Sequence, residues 1–365
     1  MSGRDASWVL RQRLGRQRLT GAASTTVGEV VSLLTAVQSQ DVGTALWSLG
    51  QRTSLSPSAI LTEQSPATFV RTHILRPTWH YVGAADLRWI QRLTGPRMAP
   101  LQSARHRQLD LEPRDFDAAV DALGDLLSGQ APLTRRELTA AFAQRGLPSR
   151  GEQMAHQLIV AESRAVLVSG PPRGQEHTYV LADEHLAPAP LDDLRDQDAI
   201  VELTARFFAG HGPADERDFA RWSGLPLTPI RRALQDLTGR LTRLDVGDHT
   251  LWFDESVTAR TTRPQTALLL PTFDEALLTY PRLGFPRAVD SDRSRLVAES
   301  GGGVAIVDLT DVGRWRRTLT THELTVEVRL DTPLDPLQRS ALVAAAEHYA
   351  DWHARALRLE GLAPA

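Results

Sequence analysis

One pattern of structural elements occurs twice in this chain and limits the possible folds more than any other feature of the sequence. Each copy has a helix-forming segment, a Gly-Leu-Pro turn, a second helix and two short strands, with the turn at Gly146-Leu147-Pro148 and again at Gly224-Leu225-Pro226. This order is typical of the winged helix-turn-helix, in which the helix after the turn enters a groove of DNA and the hairpin lies beside it.

The amphipathic and strand-like patterns place the elements of both copies. In the first copy they predict helices over 116–127, 135–142 and 151–161, followed by strands over 166–169 and 178–181. In the second copy they predict helices over 199–208, 216–222 and 229–237, followed by strands over 241–245 and 250–253.

The first 110 residues have helices and a strand in a compatible order, which predicts a third winged unit. Helices are expected over 7–18, from Thr26 to about residue 40, over 44–49 and from residue 55. A strand with Pro77 at a bulge or edge position is expected over 69–82, and helices over 86–94 and 97–108 follow it.

After Arg263-Pro264 the sequence changes to strands, predicted over 267–270, 303–309 and 324–330, with a basic hairpin at 313–317 that is either a turn or a backbone clamp. A closing helix is predicted over 336–357. The expected fold class is therefore α+β, in four domains. These are a first winged unit with the catalytic motif (1–110), a second (111–188), a third (189–262) and a β-rich C-terminal domain (263–365).

Cysteine and lysine are both missing from the chain. Without cysteine there is no disulfide, thiolate nucleophile or Cys-based metal site. Without lysine there is no side-chain Schiff base and no P-loop lysine, which excludes several enzyme classes. All 41 basic residues are arginines, as a GC-rich genome favours, and arginine is also the better ligand for phosphate.

The charge of the chain is unevenly distributed. Residues 1–110 contain 13 Arg and six Asp or Glu, a net charge of +7, whereas the other residues contain 28 and 38, a net charge of −10. A basic N-terminal third indicates a polyanionic partner. No apolar run approaches the roughly 18 residues of a membrane span, and the N-terminus lacks the apolar region of a signal peptide. We therefore expect a cytoplasmic protein, associated with the nucleoid when bound to DNA, with no membrane partner.

Three segments contain candidate functional residues. Gln38 and Gln40 lie at the predicted end of the second helix, next to Asp41. They are either a solvated helix end that stops at Gly43, or two amides that orient a water or a base. Asp274 and Glu275 directly follow an apolar strand, where acids are either catalytic or solvated turn residues.

The third segment, residues 69–82, contains basic, aromatic and hydroxyl side chains and no acid. That mixture argues against a metal site and is suited to contacts with phosphates and bases. The candidate DNA-binding residues are Arg71, His73, Arg76, Thr78, Trp79 and His80.

In their order along the chain, the segments AVQSQD, RTHILRPTWHYV and LLLPTFDEALLTY resemble those of the bacterial helix-turn-helix 42 family of winged-helix DNA glycosylases. The resemblance implies a C-shaped protein with three tandem winged helices and a C-terminal β-barrel. The AlkZ-like branch carries Gln-hydrophobic-Gln at its active site and the YcaQ-like branch Gln-hydrophobic-Asp. Gln38 and Gln40 match the AlkZ-like pattern, although the residue between them is Ser39 instead of an apolar one.

The resemblance implies a DNA glycosylase, with Gln38 and Gln40 catalytic and with Asp41, Asp274 and Glu275 as candidates for active-site support. Because the chain has no lysine for an imine with the sugar, we expect the enzyme to be monofunctional. It would excise bulky N7- or N3-alkylated purines from double-stranded DNA without a cofactor or metal. It would act as a monomer, open interstrand crosslinks and protect its host from a genotoxic natural product. A non-enzymatic winged-helix transcription regulator remains the alternative, because fold does not determine function.

Overall fold

The structure, a computed structural model, describes residues 4–174, 176–259, 267–288 and 301–362. The helices are α1 (Ala6–Arg16), α2 (Val27–Leu34), α3 (Val42–Gly50), α4 (Pro57–Glu63), α5 (Leu87–Leu101), α6 (Ser103–Gln108), α7 (Pro113–Leu127), α8 (Arg135–Gln144), α9 (Gln153–Ser163), α10 (Ala182–His185), α11 (Asp196–Gly210), α12 (Glu216–Ser223), α13 (Leu227–Asp236), α14 (Glu275–Leu278) and α15 (Pro336–Trp352).

The strands in the same ranges are short in the N-terminal half and longer in the C-terminal region. They are β1 (Ala36–Gln38), β2 (Phe69–His73), β3 (Trp79–Gly83), β4 (Leu133–Thr134), β5 (Leu167–Ser169), β6 (Thr178–Leu181), β7 (Thr242–Val246), β8 (His249–Phe253), β9 (Ala267–Pro271), β10 (Gly302–Val307), β11 (Thr310–Leu319), β12 (Glu323–Leu330) and β13 (Ala356–Glu360). The α+β class is therefore confirmed.

Contacts along the chain divide it into two compact units. Unit 1 comprises Met1–Leu61, Ala205–Asp218 and Thr238–Ala365, and unit 2 comprises Thr62–Thr204 and Phe219–Leu237. Residues 189–262 contribute to both units, so the division into four consecutive domains stays a prediction.

Unit 1 contains a five-stranded sheet in the order β13-β12-β11-β10-β9. Neighbouring strands are antiparallel except for β12 and β13, which are parallel. Within the described residues β9 and β13 are outer strands that do not pair with each other, so the sheet is open and the expected C-terminal barrel is wrong. The strand after β12 is reached through α15, and this crossover places β13 parallel to β12 as an open edge.

Helices cover both faces of this sheet. Leu269, Ala305 and Val307 pack with Trp47 of α3 and with α15, whereas Leu270 and Val304 pack with α1 on the other face. Burial on both faces explains why β9 and β10 are continuous apolar runs instead of alternating ones. The sheet is a rigid base for the loop that follows β9 and contains Asp274.

Unit 2 contains the element order of the first repeat, namely α7, β4, α8, α9 and the strands β5 and β6, with the sheet order β4-β6-β5. Its core is formed by apolar residues of α7, α8 and α9, among them Leu123, Phe142 and Leu158. The observed strand β6 matches the predicted 178–181, and β5 differs from the predicted strand by one residue. A tandem arrangement of three winged helices stays a prediction.

The single strand predicted over 69–82 is wrong, because the chain reverses there into an antiparallel hairpin. Strands β2 and β3 pair Thr72 with His80 and His73 with Trp79. Leu75 has a φ of 66°, and hydrogen bonds from Arg76 N to Ile74 O (2.7 Å) and from Thr78 N to Arg76 O (2.6 Å) close two tight turns. Pro77 therefore lies in the turn and not at a bulge of a strand.

Two further expectations are corrected. The segment 313–317 is the middle of β11 and not a hairpin, since Gly313 to Arg317 all pair with β12. Helix α5 continues through Pro96 and Pro100, where helices over 86–94 and 97–108 were expected. Among the described residues, every helix is too short or too polar to cross a membrane.

Candidate active site

The segment Gln38-Ser39-Gln40 does not end a helix, contrary to the sequence-based prediction. Thr26 caps α2 with a reciprocal bond to Glu29, as expected, but the helix ends at Leu34. Thr35 then has a φ of 65°, which a β-branched residue rarely adopts. The chain leaves the helix there and continues as β1, so Gln38 is on a strand.

The three residues differ in their exposure. Gln38 is 7% exposed, Ser39 is completely buried and Gln40 is exposed. Ser39 therefore faces the interior, where the AlkZ-like pattern has an apolar residue. A small hydroxyl side chain therefore takes this inner position.

Glu275, which is 237 positions away in the sequence, holds the backbone of this segment through a hydrogen bond. Its Oε1 accepts the Gln38 N–H at 2.8 Å, and its Oε2 accepts from Thr279 Oγ1 at 3.4 Å. The side chain is 1% exposed, so the carboxylate is an interior group. A buried hydrogen bond to a carboxylate is stronger than a neutral one and fixes the strand that bears Gln38.

Asp274, the neighbouring acid, is a completely buried ion-pair partner. Its two oxygens accept from Arg52 Nη1 and Nη2, both at 2.8 Å, and Ser48 Oγ donates to it at 2.6 Å. It also caps α14 through the Ala276 N–H. Burial alone raises the pKa of Asp274, but the Arg52 charge and these hydrogen bonds outweigh it and leave the pKa below its ordinary value.

From Arg52 a chain of hydrogen bonds leads back to the end of α2. Arg52 Nη2 donates to Gln17 Oε1 (3.2 Å), and Gln17 Nε2 donates to the Tyr280 hydroxyl (2.8 Å). That hydroxyl donates to the carbonyl of His211 (2.5 Å), whose Nε2 bonds Leu34 O at 3.0 Å. Burial lowers the pKa of His211 to about 4, so the ring is neutral at pH 7. The sequence showed no signal for this network.

Asp41 caps the next helix. Its Oδ1 accepts the Thr44 N–H at 2.8 Å at the start of α3. The residue directly after Gln40 is therefore constrained by a helix cap, which is the ordinary role of an aspartate at this position. The structure thus brings Glu275 to Gln38, places Asp41 beside Gln40 and gives Asp274 a supporting ion pair.

The six candidate DNA-binding residues divide by burial within unit 2. Arg76, Thr78 and Trp79 are half-buried at the turn of the β2–β3 hairpin. The other three are less than a tenth exposed: Arg71, His73 and His80. Only the turn side of the hairpin therefore resembles a contact surface, and the DNA-binding assignment stays a prediction.

Interior partners hold the buried members of this set. His73 Nδ1 shares a short hydrogen bond with Glu162 of α9, and the Arg71 guanidinium lies 4.0 Å from the centre of the Trp79 ring. Burial raises the pKa of Glu162. Burial also lowers the pKa of His80 far below its ordinary value, and the Arg76 charge adds to this effect. His80 is therefore neutral at pH 7.

The basic N-terminal third exposes less charge than its composition indicates. Arg13 and Arg16 of α1 are 2% exposed, and Arg52 is completely buried. Arg13 Nε donates to Pro213 O at 2.7 Å, and Arg16 Nη1 donates to Asp254 O at 2.7 Å. These three arginines support unit 1 and are not available to a polyanion.

No cluster of three or more His, Asp and Glu suited to a metal ion exists within the described ranges. The side chains around Gln38 and Gln40 are amides, carboxylates and hydroxyls that accept and donate hydrogen bonds. Such groups bind and orient water and stabilise positive charge.

Comparison with known proteins agrees with this reading of the segments. The sequence profile of the AlkZ-like DNA glycosylase family matches residues 31–352. Among solved structures, the Streptomyces sahachiroi DNA glycosylase AlkZ is similar in fold, with a TM-score of 0.77 and 23% identity over 98% of this chain and 100% of that chain. None of the curated proteins matches. Since the profile spans most of the chain, including all three motif segments, this protein belongs to the AlkZ-like family of DNA glycosylases and its substrate is DNA.

Proposed function

We propose that this glycosylase hydrolyses the N-glycosidic bond of bulky purines alkylated at N7 or N3, with Gln38 and Gln40 positioning the attacking water. The observation that supports this most is the fixed backbone of the segment. Glu275 accepts the Gln38 N–H, and Asp41 caps α3 directly after Gln40. Groups held in place before the reaction lower its barrier, because less orientational freedom is lost in the transition state.

The chemistry of the two amides suits a cationic substrate. Alkylation at N7 or N3 gives the purine a positive charge, so the base leaves without strong acid assistance. An amide is too weak a base to deprotonate water at neutral pH, but its carbonyl oxygen accepts a hydrogen bond and orients the water. Its dipole also stabilises the positive charge that develops on the sugar. A neutral, undamaged base lacks this activation.

The finer parts of the proposal rest on the resemblance to the AlkZ-like branch and on the composition of the sequence. We propose that the enzyme acts as a monomer on duplex DNA in the cytoplasm, opens interstrand crosslinks by removing the alkylated purine, and protects its host from a genotoxic natural product. A gene for such a self-resistance enzyme should lie within a biosynthetic cluster.

An excision assay tests the proposal directly. Duplexes with N7-alkylguanine adducts of increasing bulk, including a crosslink, are incubated with excess enzyme, and the released base is quantified. We expect release from each adduct. Gln40→Ala should lower the single-turnover rate by roughly 100-fold, as expected for loss of a positioning group, with little change in DNA affinity.

Gln38→Ala is measured in parallel, and Gln130→Ala is the control, because Gln130 is an exposed glutamine of unit 2 outside these motifs. Gln130→Ala should match the wild-type rate. If Gln40→Ala abolishes DNA binding or lowers the unfolding temperature instead, Gln40 is structural. Tight binding to one operator sequence without base release would instead favour the transcription regulator.

A further inference from the structure

Three arginines of β11 lie in the segment Gly313–Arg317, for which the sequence predicted either a basic turn or a backbone clamp. Arg314 pairs with Asp311 at 2.7 Å, and Arg316 pairs with Glu327 at 2.5 Å. Within the ranges that the structure describes, no carboxylate lies within 4.0 Å of the Arg317 guanidinium. Arg317 is therefore different from its two neighbours, whose charges are neutralised locally.

Neutral partners from α15 and the residue after it hold Arg317. Its Nη1 donates to the Tyr349 hydroxyl at 2.8 Å and to His353 Nε2 at 3.1 Å. Burial, together with the charges of Arg317 and Arg355, lowers the pKa of His353 to about 4, so the ring is neutral and accepts this bond at pH 7. Both Nη1 hydrogens are thus used. Among the described residues, the Nε and Nη2 hydrogens have no acceptor.

Gly43 shows where this guanidinium lies. A Cβ atom at Gly43 would collide with Arg317 Nη2, so the guanidinium occupies the space beside the first turn of α3. Gly43 is three residues after Gln40, which limits the distance between their Cα atoms to roughly 11 Å. Asp41 is the acid closest to Gly43 in sequence, and its carboxylate caps α3.

We propose that Arg317 binds a backbone phosphate of the DNA strand that carries the damaged nucleotide, close to Gln40. The Nε and Nη2 edge of a guanidinium matches two oxygens of a phosphate in a planar, bidentate geometry. Tyr349 and His353 orient the group before DNA binds, which lowers the entropy that is lost on binding. The placement next to the damaged nucleotide rests on the proposed function of Gln40, whereas DNA as the substrate follows from the family.

Arg317→Gln tests the contact, with Arg316→Gln as the matched control on the same strand. The dissociation constant for a duplex with a stable abasic-site analogue is measured from low to moderate salt. For Arg317→Gln we expect it to rise roughly tenfold, as for the loss of a charged hydrogen bond, and the salt slope to fall by about 0.9. Arg316→Gln should change both by much less, because Glu327 already neutralises that arginine. Equal effects of the two variants, or no effect of Arg317→Gln, would overturn the proposal.

A scan of single uncharged methylphosphonates on either side of the abasic-site analogue locates the phosphate. The wild-type protein should lose affinity at one position where Arg317→Gln loses none, while both lose affinity at other contacted positions. If the variant is sensitive to the same positions as the wild type, Arg317 does not bind a single phosphate and the proposal fails.

Gly43→Ala provides a second variant that leaves Arg317 in the protein. The added methyl group would displace the far end of the Arg317 side chain and not backbone atoms, so the fold should tolerate it while DNA affinity falls as in Arg317→Gln. Wild-type affinity in a folded Gly43→Ala protein would count against the proposal. None of these binding measurements needs base excision. A wild-type enzyme that leaves N7-alkylguanine in place would therefore contradict the proposed function alone.

Discussion

At the scale of single residues, burial and pairing separate acids that look equivalent in the sequence. Asp274 and Glu275 are adjacent in sequence. The carboxylate of Asp274 accepts hydrogen bonds from Arg52 and Ser48, whereas that of Glu275 accepts the backbone N–H of Gln38. A carboxylate that is completely buried in an ion pair does not exchange protons with substrate or water. We therefore expect Asp274 to be a supporting residue that holds Arg52 and Ser48 in place.

This role gives a stability prediction for Asp274→Asn. The change leaves the Arg52 charge buried without its counter-ion, so the free energy of unfolding should fall by roughly 3–5 kcal/mol, as when one partner of a buried pair is removed. Urea denaturation measures the change. Asp193→Asn is the control, because that side chain is fully exposed and should change the stability by less than about 0.5 kcal/mol. Unchanged stability with lost excision would instead make Asp274 a catalytic acid.

At the scale of elements, the strands of the β2–β3 hairpin are mostly buried, and β2 packs against α9 and β5. Pairing in the hairpin joins Thr72 to His80, and both residues are completely buried. The turn, which includes the half-buried Arg76, is the part that remains accessible. A motif that reads as one continuous basic strand is therefore two elements with different surroundings.

Arg76→Gln and His80→Gln should consequently differ in their effect on DNA binding. Arg76 keeps its charge at the hairpin turn, so its loss should weaken binding and reduce the salt slope by about 0.9. His80 is buried and neutral, so its substitution should lower the unfolding temperature and leave the salt slope unchanged. Fluorescence anisotropy titrations at several salt concentrations, with thermal unfolding beside them, measure both effects. A reduced slope in a stable His80→Gln protein would place that ring in the interface.

At the scale of the whole molecule, the lack of lysine predicts a reaction that stops at base removal. Glycosylases that also cut the strand use an amine that forms an imine with the sugar. A chain without lysine has no side-chain amine for that step. The composition of the chain therefore bears on the product of the reaction.

The expected product is an intact strand with an abasic site. After reaction with an N7-alkylguanine duplex, denaturing gels should show strand cleavage only when alkali or heat is added. Borohydride added during the reaction should trap no covalent protein–DNA species, whereas a bifunctional glycosylase assayed in parallel is trapped. Direct scission or a trapped species with this enzyme would show that another amine takes part.

Much of the local structure could be predicted from the sequence. The Thr26 cap, strand β6 and the two repeats of helices and strands depend on neighbouring residues and on periodicity, and they lie within a few residues of their predicted bounds. The errors have long-range or backbone causes. Thr35 ends α2 with a positive φ, although the residue is not a glycine. Strand β13 pairs in parallel with β12 after a crossover, and the sheet stays open.

The sequence by itself determined the helices and strands of the two repeats, the three motif segments that identify the family and the absence of a lysine side chain, because each of these is a local pattern or a count. Only the tertiary structure decided that Gln38 lies on a strand whose backbone Glu275 holds. It also decided that Asp274 pairs with Arg52 and that the Arg317 guanidinium lies beside Gly43. The physical reason is that these contacts join residues more than 200 positions apart, with separations of 237 for Gln38 and Glu275 and 222 for Arg52 and Asp274. The charge and exposure of a side chain depend on such neighbours, and no local pattern encodes them.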